Sequence, residues 1–496
     1  MPAAPRSPLF FSTPLLLFAL LSSCDRGGTQ TETAGATVPA AARIPITTAS
    51  DDARRLYLQG RDLTEQLRAH DGRELYRQAL QADPSFAMAH YQLAVNSAIA
   101  KDFFEHMKHA VDLSGQVSEG ERLTILAAEA GGNAQPGKAL EFLTELVAKH
   151  PDDERAHFLL ANAYLGRQDY PKAVEHYEAA TRINPRFSPA YNSLGYTYRP
   201  MEKYADAEVA FKKYIELIPG DPNPYDSYAE LLMKTGRFDE SIAQYRKALA
   251  LDSNFTASRV GIASNLMLQG KHKDALGTID EMFRRARDDG ERRTALFVKG
   301  VILTDAGKTD AAVKVIEKEF AIAERAGDSA NMSADVQLIG NILLDAGRTD
   351  QAAKRFEQSL ELVTQSSLSD EVKADTRLAG RYNQARVALA RGDLATARTE
   401  AAAYLEGAEA RQNTFRIRQA HELAGSIALK EKKYDEAIAH LGQANQQNPQ
   451  VVYWTALAYK GKGDAARAKE YGAKAAKMNV LPNIAYAFVR EEAGRL

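Results

Sequence analysis

Apolar and small residues return along most of this chain with the spacing of paired amphipathic helices. In the clearest instance Tyr191, Leu194, Gly195 and Tyr198 stand at i, i+3, i+4 and i+7, one face of a first helix. Ala207 and Phe211 then mark the apolar face of a second helix. Pro219 ends it, because proline cannot donate the next backbone hydrogen bond. Gly195 and Ala207 are small where two antiparallel helices must approach closely, and Phe211 fills the space beside them.

The small residue of the second helix forms a ladder: Ala139, Ala173, Ala207, Ser241, Ala275, Ala312, Ala352, Ala397, Ala437 and Ala468. Its steps are 34 residues four times, then 37, 40, 45, 40 and 31. Prolines at 151, 185 and 219 and turn glycines at 236, 270, 307, 347, 392 and 463 keep the same register. Poorer copies extend it upstream through Leu56, Gly60, Tyr76 and Ala79, and through Leu93, Ala94 and His106. The run Tyr191-x-x-Leu194-Gly195-x-x-Tyr198, Ala207-x-x-x-Phe211, Pro219 resembles the tetratricopeptide repeat, with tyrosine in the leading tryptophan position. That resemblance implies an all-α fold, a right-handed superhelical solenoid of about twelve helix pairs. The expected organisation is an array with about 34-residue repeats over 51–290 and one with variable 31–45-residue repeats over 291–482. Residues 483–496 are expected to cap the last repeat's apolar face with a helix.

Residues ahead of the repeats follow another logic. An apolar stretch from Leu9 to Leu21, behind Arg6, has signal-peptide length and is too short to span a membrane. It runs into Leu21-Ser22-Ser23-Cys24, which resembles the bacterial lipoprotein signal. The resemblance implies removal of residues 1–23 and lipidation of Cys24, the only cysteine in the chain. Two or more acyl chains give stable membrane attachment where one is marginal. Residues 24–50 are rich in Gly, Thr, Ala and Ser without helical periodicity, and read as a flexible tether spanning roughly 28 Å.

Composition removes several function classes. With 63 Lys+Arg against 65 Asp+Glu, nothing points to nucleic acid as a partner. One cysteine excludes an internal disulfide and a multi-cysteine metal site. Residues 132–139, Gly-Asn-Ala-Gln-Pro-Gly-Lys-Ala, approach the phosphate-binding loop but carry Ala139 where that loop needs Ser or Thr for magnesium. His90, His106 and His109 read as packed or solvated histidines rather than metal ligands. His421-Glu422 lacks the second histidine of a zinc-protease motif, and no Gly-x-Ser-x-Gly element occurs. The expectation is therefore no enzyme, cofactor, nucleotide or metal.

What remains is the surface of the first helices. In tetratricopeptide arrays their second, fifth, ninth and twelfth positions face the concave groove. Here those positions hold Arg155, Phe158 and Asn162, then Asn192, Tyr196 and Arg199, then Asn223, Asp226 and Glu230. Asn162, Asn192, Tyr196 and Arg199 are the candidate partner-binding residues, with Tyr196 and Arg199 expected to point away from the helix-pair core. The functional expectation is a lipid-anchored, non-enzymatic scaffold in the bacterial envelope, facing the periplasm or exterior and binding other envelope proteins or peptides. The alternatives are an accessory subunit for glycan or peptide uptake and an enzyme with a groove-located site.

Overall fold

The computed structural model describes residues 43–66, 68–97, 100–133, 135–368, 370–411 and 413–496. The signal segment, Cys24 and the tether up to residue 42 lie outside the described residues. Among the described residues the chain is all helical, with 25 α-helices and no strand. The first three pairs are α1 (Asp51–Glu65) and α2 (Ala69–Ala82), α3 (Ala87–Val95) and α4 (Ala100–Leu113), and α5 (Glu119–Gly132) and α6 (Pro136–Lys149). Next come α7 (Glu154–Gly166) and α8 (Tyr170–Ile183), α9 (Ser188–Tyr198) and α10 (Tyr204–Leu217), and α11 (Pro222–Lys234) and α12 (Phe238–Leu251). They continue as α13 (Thr256–Leu268) and α14 (His272–Arg285), α15 (Asp289–Asp305) and α16 (Thr309–Arg325), and α17 (Ser329–Asp345) and α18 (Thr349–Thr364). The last pairs are α19 (Asp370–Arg391) and α20 (Leu394–Ala410), α21 (Thr414–Lys430) and α22 (Tyr434–Gln443), and α23 (Pro449–Lys462) and α24 (Ala465–Ala476), followed by α25 (Ile484–Ala493). The described residues divide into two compact units, 43–231 with 243–258, and 232–242 with 259–496.

Close approach within each pair follows from residue size. Every rung of the small-residue ladder lies on a second helix and is buried, from Ala139 to Ala468. A Cβ added at Gly195 would stand 2.5 Å from the Phe211 ring, one at Gly340 would stand 2.5 Å from Phe356, and one at Gly425 would stand 2.6 Å from Leu441. Each large residue follows its glycine by sixteen positions, so the notch in the first helix and the knob on the second are one register. Longer repeats in the second unit come from longer helices: α15, α16 and α17 have 17 residues each, where α7 has 13.

From α7 and α8 onward, the turn inside each pair has a left-handed residue. Gly236, Gly270, Gly307, Gly347, Gly392 and Gly463 supply it with φ between 68° and 88°. Gln168, Glu202 and Lys432 hold the same position with φ of 59° to 62°, where a side chain costs about 1 kcal/mol. Lys432 is exposed, so Lys432→Gly loses no packing. The variant is expected to gain about 0.5 kcal/mol in thermal unfolding, once glycine's larger unfolded-state entropy is subtracted. A lower melting temperature would show that Lys432 makes a contact that outweighs its backbone strain.

Residues 43–50 depart from the tether expectation. The Ile44 N–H donates to Asp153 Oδ2 at 2.9 Å, and the Thr47 N–H and hydroxyl donate to Glu121 at 2.8 and 2.6 Å. Thr48 Oγ1 donates to Asp83 Oδ2 at 2.5 Å, and Ser50 caps α1 by accepting from the Ala53 N–H at 3.1 Å. Their composition is that of a tether, but carboxylates 35 to 109 residues ahead in the chain hold them as an extended strap.

Helix α25 covers α23 and α24, as a capping helix should, and also packs on α15. Met233, Val260 and Met267 share one apolar cluster with Met478, Tyr486 and Ala493. Arg490 Nε donates to Asp305 Oδ1 at 2.7 Å across 185 residues of sequence.

Candidate functional site

The four groove candidates sit on α7 and α9 or directly after α9, in the unit formed by 43–231 with 243–258. Asn162 accepts from the Tyr177 hydroxyl at 2.5 Å, which ties the first helix of that pair to its second. The Asn192 carboxamide oxygen is buried without a hydrogen-bond partner. Tyr196 packs edge-on against Phe211, with ring centroids 5.2 Å apart, and so faces into the helix pair rather than away from it. Its hydroxyl donates to Ser227 at 3.3 Å and to Glu230 at 3.2 Å. Arg199 lies over the Tyr196 ring at 5.0 Å and donates to Glu230 Oε2 at 2.9 Å. Tyr196 and Arg199 therefore bind α9 to α11 within the chain.

The surroundings of this network are nearly dry. Side-chain exposure is 16% for Arg199 and 11% for Glu230. Burial opposes the Arg199 charge, but Glu230 outweighs it and holds the guanidinium pKa above its ordinary value. Burial, reinforced by Glu230, pushes the Tyr196 phenol well above its usual range. Asp226, one turn before Glu230, is pushed up to about 8 by burial and by Glu230, against the Ser258 hydroxyl that donates to it at 2.6 Å. The Tyr245 hydroxyl completes the cluster, fully buried and without a partner.

A second network of the same kind occupies the other unit, and the sequence reading did not reach it. Arg386 lies over the Tyr382 ring at 5.4 Å and donates to Asn341 Oδ1 at 2.7 Å. The Tyr382 hydroxyl donates to Glu422 Oε1 at 3.0 Å, and Asn448 Nδ2 donates to Glu422 Oε2 at 3.0 Å. Asp345 beside it is pushed up to about 7 by burial and by Glu492, against Arg386. Tyr382 and Arg386 each lie three residues before an apolar position of α19, Ala385 and Leu389, so the first-helix numbering carried into the longer repeats reaches them. Nearby, Arg293 grips Asp335 with both terminal nitrogens at 2.7 and 2.9 Å, so the arginine-rich stretch around 284–293 includes a structural ion pair.

Histidines recur in pairs at equivalent places on a first helix and its second. His157 Nδ1 is 3.0 Å from His176 Nδ1, His421 Nδ1 is 3.1 Å from His440 Nδ1, and His90 Nδ1 is 3.2 Å from His106 Nδ1. His157 Nε2 donates to the Pro151 carbonyl at 3.0 Å, which leaves its Nδ1 as the acceptor for His176 Nδ1–H. A second proton on such a pair sets two donors against each other. Burial first, then the neighbouring histidines, hold His90 down to about 4 and lower His176 and His421. A base depressed in the folded state keeps its stabilising effect above its unfolded pKa of about 6.5 and loses it as pH falls below that. Asp226 and Asp345, raised in the folded state, act oppositely and return stability as pH falls. The informative quantity is therefore the difference between wild type and His157→Gln with His176→Gln. Wild type is expected to lead by about 1 kcal/mol at pH 7.5, with the lead gone by pH 4.5. A gap constant across that range would show that the pair does not titrate.

The remaining motifs lie within the helix pairs. The phosphate-loop lookalike is the turn between α5 and α6, with Lys138 Nζ 5.8 Å from the Phe142 ring centre. Glu422 of the His421-Glu422 pair is buried in the network above. Among the described residues no group of three or more His, Cys, Asp or Glu is placed to hold a metal ion. No helix among them is long and apolar enough to cross a membrane.

Known proteins resemble this chain in its repeats. In the curated set it is similar to anaphase-promoting complex subunit 3 of Schizosaccharomyces pombe, 24% identical over 188 residues, which are 38% of this chain and 27% of that protein. It is also similar to UDP-N-acetylglucosamine–peptide N-acetylglucosaminyltransferase of Giardia intestinalis, 27% identical over 109 residues, 22% of this chain and 7% of that protein. The chain thus aligns with about a quarter of the first relative's length and less than a tenth of the second's. Among solved structures, a tetratricopeptide repeat protein from Parabacteroides merdae is 16% identical, covers 58% of this chain and 99% of its own, and has a TM-score of 0.36. MamA from Desulfovibrio magneticus is 17% identical, covers 34% of this chain and 98% of its own, and has a TM-score of 0.31. Models of the tetratricopeptide repeat match residues 130–195, 188–221, 223–255 and 378–403. The helix pairs across those segments are tetratricopeptide repeats, a fold that serves proteins chiefly as an interaction scaffold.

Proposed function

We propose that this protein is a lipid-anchored, non-enzymatic scaffold of a bacterial envelope, holding a peptide or helix of another envelope protein against its first helices. The observation that carries the binding half is the polar network at Asn162, Asn192, Tyr196 and Arg199, along the first helices. There an aromatic ring and a guanidinium are fixed in place by neighbours. Beside them Asn192 has a carboxamide oxygen without a partner. Side chains held rigid before binding lose little entropy when a ligand arrives. Tyr196 and Arg199 act as positioning residues in this reading, and Asn192 supplies a carboxamide whose buried oxygen has no partner within the chain. The anchoring half rests on Leu21-Ser22-Ser23-Cys24.

The test is crosslinking in the native envelope, followed by titration of each captured partner against Asn192→Ala. A few discrete envelope proteins, bound at least about tenfold more weakly by the variant, support the scaffold. Recovery of transport machinery with a glycan or peptide cargo would replace it with an uptake role. Cys24→Ser is expected to abolish lipid labelling and leave an uncleaved precursor, and equal labelling would overturn the anchor.

A further inference from the structure

We propose that the first-helix face of α15 and α23, with α24 beside it, is a docking site for an amphipathic helix, that α25 is its resident occupant, and that a partner helix of the same chemistry displaces it. The proposal rests on reading first helices as the interaction surface, and names what one stretch of that surface takes.

Helix α25 has two apolar faces. Tyr486, Val489 and Ala493 are buried, and Tyr486 and Ala493 join the cluster around Val260, Met267 and Val301. Ile484 and Phe488, one turn apart, pack half-buried against the neighbouring cluster that holds Leu296 and Leu303. This is helix-in-groove recognition with anchors one turn apart. A polar lock sets the register: Arg490 grips Asp305 with Nε at 2.7 Å and a terminal nitrogen at 2.5 Å. With α25 in place the Asp305 carboxylate is 2% exposed, so an occupant that covers it as α25 does is favoured when it brings a cation there.

Three features suit the site to exchange. His272 Nε2 stands 2.7 Å from Asp305 Oδ2, so the buried carboxylate keeps one partner when Arg490 leaves. The connection from α24 to α25 passes through Asn479 in a left-handed conformation, φ 39°, and through Pro482. Release relaxes that strain. A helix of 10 residues does not hold its shape alone, so α25 outside the site is an unfolded tail rather than a competing structure. The partner this site fits is a helix with an aliphatic residue and an aromatic residue four apart, and an arginine two residues after the second.

Hydrogen exchange on the unaltered full-length protein is the first test. The amides of residues 486–493 are expected to exchange through their own opening, at least tenfold faster than those of α15 and α23. The second test uses a fluorescent peptide with the sequence of residues 481–496. Full-length Phe488→Asp with Arg490→Asp, whose own α25 is dislodged, should bind it at least tenfold more tightly than wild type. Adding Asp305→Lys should abolish that binding. Exchange of α25 together with α15 and α23 would overturn the proposal, as would equal peptide binding, or none, by the dislodged variant and wild type. Should that variant not fold, the exchange experiment decides alone. Asn192→Ala reports on the other unit, so failure here leaves the proposed scaffold standing, and failure there leaves this site standing.

Discussion

Arg199→Ala is expected to cost about 3–5 kcal/mol in equilibrium unfolding, far more than an arginine truncation at a surface. Arg199 is the cation in a buried group that also holds Glu230, Asp226 and the Tyr196 and Tyr245 phenols. Its removal leaves the Glu230 carboxylate with the Tyr196 hydroxyl but without a counter-charge. An uncompensated buried charge costs more than the ion pair contributes when intact. Two controls separate charge from shape. Glu230→Gln in the Arg199→Ala background should recover about half of the loss, because the orphaned charge is gone. Arg199→Lys should fall between, since an ammonium cannot keep both the carboxylate fork and the stacking on Tyr196. Melting of Arg199→Ala within about 0.5 kcal/mol of the parent would show that the Glu230 pair is solvated and carries little energy.

This result depends on something a single repeat does not display. The resemblance to tetratricopeptide arrays implies that Tyr196 and Arg199 lie on the groove side of α9. Their partner Glu230 stands 31 residues beyond Arg199, on the next first helix. Only the stacking of one repeat on the next turns two candidate ligands of a foreign peptide into a cross-link within the chain. Long-range closure hides other features in the same way. The strap at 43–50 is fixed by Asp83, Glu121 and Asp153, and α25 by Asp305, none of them near in sequence. The helix pairs themselves were legible because their information is local: a glycine notch, a knob sixteen residues on, and an alanine where the backbones meet. The 40- and 45-residue steps kept that code but lengthened the helices. The Tyr382, Arg386 and Glu422 network lies in those longer helices, outside the 34-residue spacing that marks the groove positions of the earlier repeats.

The same local code gives the sharpest test of register. Ala207 is fully buried on α10, four residues before Phe211, whose ring fills the notch at Gly195. Ala207→Leu adds three carbons where no space exists, and is expected to cost about 1–3 kcal/mol as side chains leave their rotamers. Ala207→Arg is expected to cost more than about 4 kcal/mol, because the charge has no carboxylate within the apolar seam and cannot reach water without parting α9 from α10. Lys213, three residues from its ion-pair partner Glu216, provides the contrast. Exposed pairs of this kind contribute about 0–1 kcal/mol, so Lys213→Ala should melt almost as the parent does. The loss in Ala207→Arg should also be confined at first: hydrogen exchange should accelerate in α9 and α10 before it does in α5 and α6, since each pair of a repeat array packs chiefly on its neighbours. Parental melting of Ala207→Arg would mean that α10 turns another face to α9, and every rung from Ala139 to Ala468 would need a new assignment.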